Sequence, residues 1–228
     1  MPKNNKYYFE FVGAHGAGKT LTYHAITKQN LLSPHIAIYP DQVRRPKLHF
    51  SLSWPFIAVK NFNKLMFVFI FFLKYTAWSP VNFRVLRSLL KMVVLHPYYE
   101  RFGHDVLLKD DMLHMLQRIV FRPNTDIFKA IDSYFLTFAY RYNGLIFVNI
   151  SPEIMWDRFK RRFPGKSENF REVRRVIHER ALNQSQVLRQ VITTQKDVPY
   201  LILDGGDDPS QNAAKVVSFI KSILREPR

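Results

Sequence analysis

Residues 9–20 read FEFVGAHGAGKT, and this stretch constrains the chain more than any other. An apolar run ends in three glycines, a lysine and a threonine. Glycine loses the most conformational freedom when its backbone is ordered, so clustered glycines mark a place where main chain approaches something closely. The octet GAHGAGKT (13–20) fits G-x-x-x-x-G-K-[ST] at every fixed position. Its surroundings fit as well: residues 7–12 predict a buried strand and residues 19–29 a helix. Between strand and helix, the amides of Gly13, Ala14, His15, Gly16, Ala17 and Gly18 can curl around phosphate oxygens. The helix N-terminus adds its positive dipole end. Lys19 is positioned to reach the β- and γ-phosphates of a nucleoside triphosphate, and the Thr20 hydroxyl to hold Mg²⁺. His15 occupies a variable position and reads as a tolerated surface side chain.

The remaining chain alternates between short apolar runs and helical patterns. Runs at 35–39, 104–109, 144–150 and 199–204 predict four more strands. Strands alternating with helices imply parallel βαβ units, and nearly continuous apolar strands imply a sheet covered on both faces. Residues 51–95 break the alternation. They read as two helices separated at SPVN (79–82), inserted between the second and third strands. Within them, LMFVFIFFL (65–73) is shorter than the about 20 apolar residues that a spanning helix needs. Three readings of this run stand, re-entrant insertion into a membrane being the least favoured. It is a helix packed in the core or on a partner, or it is an interfacial anchor assisted by Lys60, Lys64 and Lys74.

Phosphoryl chemistry also needs an acid at the end of a neighbouring strand. DVLLKDD (105–111) offers Asp110 and Asp111. Asp110 is the candidate for orienting a Mg²⁺-bound water, for accepting the proton of an attacking hydroxyl, or for both. Asp111 is the better N-cap for a helix over 111–120. Further on, NISPEIMWDRFKRRFPGKSENF (149–170) starts a helix at Ser-Pro and ends it in a Pro-Gly loop. Arg158 and Arg162 are four apart and share one helix face. Arg171, Arg174 and Arg175 follow. Guanidinium groups on both sides of a short loop suit a lid over 158–175 that closes on a transferring phosphoryl group.

The order of these features resembles the nucleoside and nucleotide kinase group of P-loop proteins, thymidylate kinase-like kinases above all. The similarity runs through GAHGAGKT as phosphate loop, VLLKDD as acid-ended third strand, NISPEIMWDRFKRR as strand and arginine helix, and PYLILDGGDDPSQNAAKVVSFI as last strand and helix. It implies an α/β P-loop fold: a single domain over 1–228, with a five-stranded parallel sheet in the order 2-3-1-4-5. It also implies ATP·Mg²⁺ as donor, adenine beside residues 204–209, and an acceptor under the helices after strand two. The sequence departs from thymidylate kinases at two places. Asp110, Asp111 and Met112 stand where those enzymes have Asp-Arg and an aromatic residue. YPDQVRRP (39–46) stands where they have Glu-Pro-Gly-Gly. Asp41, Arg44 and Arg45 therefore become the acceptor-side candidates, and the acceptor is left open among nucleosides, nucleotides and sugar-like or glycoconjugate groups.

Lys and Arg number 34 against 18 Asp and Glu, a net charge of +16. That excess favours anionic partners without choosing between nucleotides, nucleic acid and an acidic membrane face. The length leaves little room for a second motor motif, which argues against a nucleic-acid ATPase. With no cysteine in the chain, disulfides and thiolate metal sites are excluded. No apolar stretch long enough for a signal peptide precedes the glycine loop, so the chain is expected in the cytoplasm, with peripheral membrane contact through 51–95 as a variant. The expected activity is ATP-dependent phosphoryl transfer to a small molecule. Lys19, Asp110, Arg158 and Arg162 are its catalytic candidates. The competing expectation is a nucleotide-driven switch or NTPase acting through a protein or membrane partner.

Overall fold

The computed structural model describes residues 7–13, 16–28, 36–39, 59–99, 105–108, 115–116, 118–137, 142–162, 175, 190 and 197–225. In chain order the elements are β1 (Tyr8–Gly13), α1 (Lys19–Lys28), β2 (Ile36–Tyr39), α2 (Phe62–Tyr75), α3 (Pro80–Tyr99), β3 (Asp105–Leu108), α4 (Ile127–Thr137), β4 (Gly144–Asn149), α5 (Pro152–Arg162), β5 (Tyr200–Asp204) and α6 (Pro209–Arg225). The protein is thus α/β, with parallel strands. Its chain divides into two compact units.

One unit comprises Phe9–Pro34 and Tyr142–Arg228. In it β1 runs parallel to β4, with Phe9 opposite Gly144 and Gly13 opposite Val148. On its other side β4 runs parallel to β5, with Asn149 opposite Asp204. Phe9, Phe11, Val12 and all four residues from Leu145 to Val148 are buried. Burial of successive residues, rather than alternate ones, is the mark of strands covered on both faces. The last helix, α6, buries Ala213, Val216, Val217 and Ile220. Those residues fall at i, i+3, i+4 and i+7, one helical stripe. The helix packs against β4 and β5 and beside α1.

The other unit comprises Met1–Tyr8 and His35–Arg141. Here β2 runs parallel to β3, with Ile36 opposite Asp105 and Tyr39 opposite Leu108. Helix α2 packs on α3 and on α4. Its inner face buries Val68, Phe71 and Phe72, while Phe62, Met66, Phe69, Ile70 and Leu73 are exposed. The apolar run 65–73 is therefore divided between the core and the surface.

Asn82 fixes the break between α2 and α3. Its side chain is 3% exposed. The amide nitrogen donates to the carbonyls of Ala77 at 2.6 Å and Val120 at 2.7 Å, and its oxygen accepts from the Val120 N–H at 2.8 Å. Arg122 completes the joint: its Nε donates to the Thr76 carbonyl at 2.9 Å and its N–H to the Tyr75 carbonyl at 3.0 Å. These bonds satisfy carbonyls that the end of α2 would otherwise leave without partners.

The same bonds explain a departure from the sequence expectation. A helix over 111–120 was expected. Met115 and Leu116 are helical, but the chain turns at Arg118, and Phe121 forms an antiparallel bridge with Thr76. Val120 spends both its backbone groups on Asn82 and on the Ala77 N–H, so it has none for a helix. Helix α3 runs to Tyr99, beyond the expected end near residue 95.

Asn82→Ala removes three bonds made by a buried side chain and takes the Asn82 partner from the Ala77 carbonyl and the Val120 N–H, while the Val120 carbonyl keeps the Ala77 N–H. It should destabilise the protein by about 2–4 kcal/mol. Thermal unfolding should show a Tm lowered by roughly 5–12 °C.

Candidate nucleotide-binding site

The site grows out of the carboxyl end of β1. After Gly13 the chain enters the glycine loop, and Gly16 and Gly18 take φ of 88° and 106°. Side chains reach that region only with strain, so these two positions need glycine. The loop closes into α1, where the N–H groups of Leu21 and Thr22 both bond to the Gly18 carbonyl, at 3.0 and 3.1 Å. Lys19 is the first residue of α1 and only 6% exposed. Its Nζ donates to the Gly13 carbonyl, folding the ammonium back over the start of the loop. Thr20, next in the helix, is exposed.

Helix α5 brings a second cation to the same loop. Its start is capped by Ser151, whose hydroxyl accepts from the Ile154 N–H at 3.3 Å, and Met155 anchors it in the core. Two turns in, Arg158 donates from Nη1 to the Gly16 carbonyl at 3.1 Å and from Nη2 to the Gly205 carbonyl at 2.6 Å. The planar fork of guanidinium matches two acceptors held side by side. Asp157, next in sequence, is engaged elsewhere. Lys160 bonds it at 2.7 Å, and that hydrogen bond and charge hold the Asp157 carboxyl below the usual carboxylate range.

The third contributor is the turn after β5. The Gly205 N–H donates to the Asn149 carbonyl. A methyl group on Gly205 would run into the Ala17 carbonyl and lie 3.0 Å from the Asn149 carbonyl. Only glycine lets this turn touch the loop. The rest of the turn is tied down locally. Asn212, buried, donates from Nδ2 to the Asp204 carbonyl at 2.7 Å, and Asp204 Oδ1 accepts from the Gly206 N–H at 2.7 Å. Asp208 caps α6 by accepting from the Ser210 N–H at 2.8 Å.

Of the residues singled out in sequence, Gly13, Gly16, Ala17, Gly18, Lys19, Thr20 and Arg158 come together here. Arg158 was expected on a transferring phosphoryl group and is found joining two backbone carbonyls. Arg162 lies one helical turn further along α5 and is exposed, as is Arg175. Ala14, His15, Asp41, Arg44, Arg45, Asp110, Asp111 and the 163–174 part of the lid lie outside the described residues. Gly205 was not singled out by itself. The local signal was the Gly-Gly pair directly after a strand ending in Asp.

Gly205→Ala should push the turn off Ala17, lowering nucleotide affinity at least about tenfold in calorimetric titration, with a destabilisation of about 1–3 kcal/mol. Gly206→Ala is the control. Gly206 is exposed, and an added methyl would meet the movable Asp204 side chain at 3.1 Å, so its effect should be several times smaller.

No protein-family model matches the sequence, and no curated protein is significantly similar to it. Solved structures do match. A deoxyadenosine kinase from M. mycoides with bound dCTP superposes with a TM-score of 0.50 at 16% identity, over 94% of this chain and 99% of that one. The same enzyme with bound dATP superposes with a TM-score of 0.50 at 14% identity, over the same shares. The chain thus has the fold of the P-loop nucleoside kinases.

Proposed function

We propose that this protein is an ATP-dependent phosphotransferase whose acceptor is a nucleoside or a closely related small molecule. One observation carries the reading: Lys19, the Gly16–Gly18 loop and Arg158 meet at the end of β1, beside the Gly205 turn. Glycines at positive φ, a nearly buried lysine and a helix N-terminus suit a triphosphate. The likeness of fold to a deoxyadenosine kinase supports an acceptor of the nucleoside class. We propose further that the two units form one domain, with a single sheet in the order β2-β3-β1-β4-β5.

Bound ATP·Mg²⁺ supplies the γ-phosphoryl group. The loop amides hold its phosphates, and Lys19 exchanges the Gly13 carbonyl for phosphate oxygens. Thr20, exposed at the second position of α1, would be the metal-side hydroxyl, and Asp110 the acid that works with it. Asp110 takes the proton of the attacking acceptor hydroxyl. Arg158 holds loop and turn together through two of its five N–H groups and keeps the others for phosphate oxygens. Arg162 adds positive charge from the same helix, and Asp41, Arg44 and Arg45 are the candidates for binding the acceptor. Catalysis of this kind rests on positioning and charge stabilisation.

The test is γ-labelled ATP offered with separate pools of deoxynucleosides, nucleoside monophosphates and sugars. Label should move to the deoxynucleoside pool. Transfer only to a sugar would shift the acceptor class, and normal ATP binding without transfer to any pool would overturn the kinase reading. Lys19→Met keeps the buried stem and removes the charge. It should cut kcat by at least about a hundredfold with Tm nearly unchanged. Asp110→Asn should lower kcat far more than it weakens ATP binding, and parental kcat would move the acid role to Asp111.

A further inference from the structure

The outer face of α2 is apolar and uncovered. Phe62, Met66, Phe69, Ile70 and Leu73 are all exposed, Phe69 by 47% and Ile70 by 52%. At 3.6 residues per turn these five fall within an arc of about 100°, along one unbroken stripe. Just beyond the helix in sequence, Trp78 is 84% exposed and Phe83 69%. Contiguous apolar surface of this kind marks a contact with something.

Charge identifies what. From residue 42 to residue 99 the sequence contains no Asp or Glu. Cations stand close to the stripe in sequence instead: Lys60, Lys74, Arg84 and Arg87 are all exposed. A second copy of the chain is a poor fit, because a two-fold contact brings a patch onto itself. These cations would then meet their own kind with no carboxylate from 42–99 to pair with them. An apolar stripe, an exposed tryptophan and exposed lysines and arginines in an acid-free stretch of sequence match the headgroup layer of an anionic bilayer. Among the described residues no helix is long and apolar enough to cross a membrane.

We propose that the Phe62–Leu73 face of α2, with Trp78 and Phe83, docks this protein in the plane of an anionic lipid surface. The helix lies flat, its phenylalanines enter the acyl boundary, and Lys60, Lys74, Arg84 and Arg87 sit among lipid phosphates. The proposal does not depend on the catalytic reading.

Flotation of the full-length protein with vesicles tests it. Vesicles of phosphatidylcholine with about 30 mol% phosphatidylserine should bind at least about tenfold more protein than phosphatidylcholine alone, because each cation near the surface adds to the attraction. Added salt should weaken that binding. A double variant, Phe69→Glu with Ile70→Glu, should lose it while keeping the parental Tm and far-ultraviolet circular dichroism, which shows that the chain is folded. Equal binding to both vesicles, or none to either, would overturn the proposal. So would a dimer in sedimentation that the same double variant dissociates, since the face would then belong to a second copy.

Discussion

The unit that carries the glycine loop depends on one approach of backbone to backbone. Gly205 comes so close to Ala17 that no side chain fits between them. Arg158 then bonds the carbonyls on either side of that contact. Bonds from a charged donor are roughly twice as strong as neutral ones. Here a single guanidinium sets the distance between two loops that belong to opposite ends of the chain. Without it, Gly16 and Gly205 would present two carbonyls to each other, and like dipoles repel. The cation therefore holds the glycine loop and the last turn in a fixed relation by itself.

The helical unit is organised by the opposite device. Its helices are largely apolar, and apolar packing alone leaves their relative register loosely specified. Asn82 and Arg122 supply the direction that apolar contact lacks. Between them they bond the backbone at residues 75, 76, 77 and 120. The orientation of α2, and with it the face that α2 turns outward, follows from this joint.

Much of this architecture is legible in the sequence. Each strand is announced by a short apolar run, and in β1 and β4 that run is buried on both faces; β5 is apolar too although Tyr200 and Ile202 are exposed, and all five strands lie within a residue or so of their expected limits. The glycine loop is legible because its motif records a backbone requirement directly. What the sequence hides are contacts between distant residues. Arg158 bonds Gly16 across 142 positions and Gly205 across 47, and no local periodicity records either. The expected helix over 111–120 failed for the same reason: Val120 has a partner 38 positions away. The run at 65–73 was ambiguous because composition gives the amount of apolar surface, not the direction in which it points.

The strand register has an experimental use. Gly13 lies level with Val148, and Asn149 with Asp204, so the loop, α5 and the last turn all leave the sheet along one edge. The far edge begins at the exposed Asp197 and Pro199, ahead of β5. Five residues of strand separate the two, about 16 Å. A fluorophore or short epitope inserted at 197–198, ahead of the Pro199 carbonyl that bonds the Leu145 N–H, would report on this protein from the end of the sheet opposite the glycine loop.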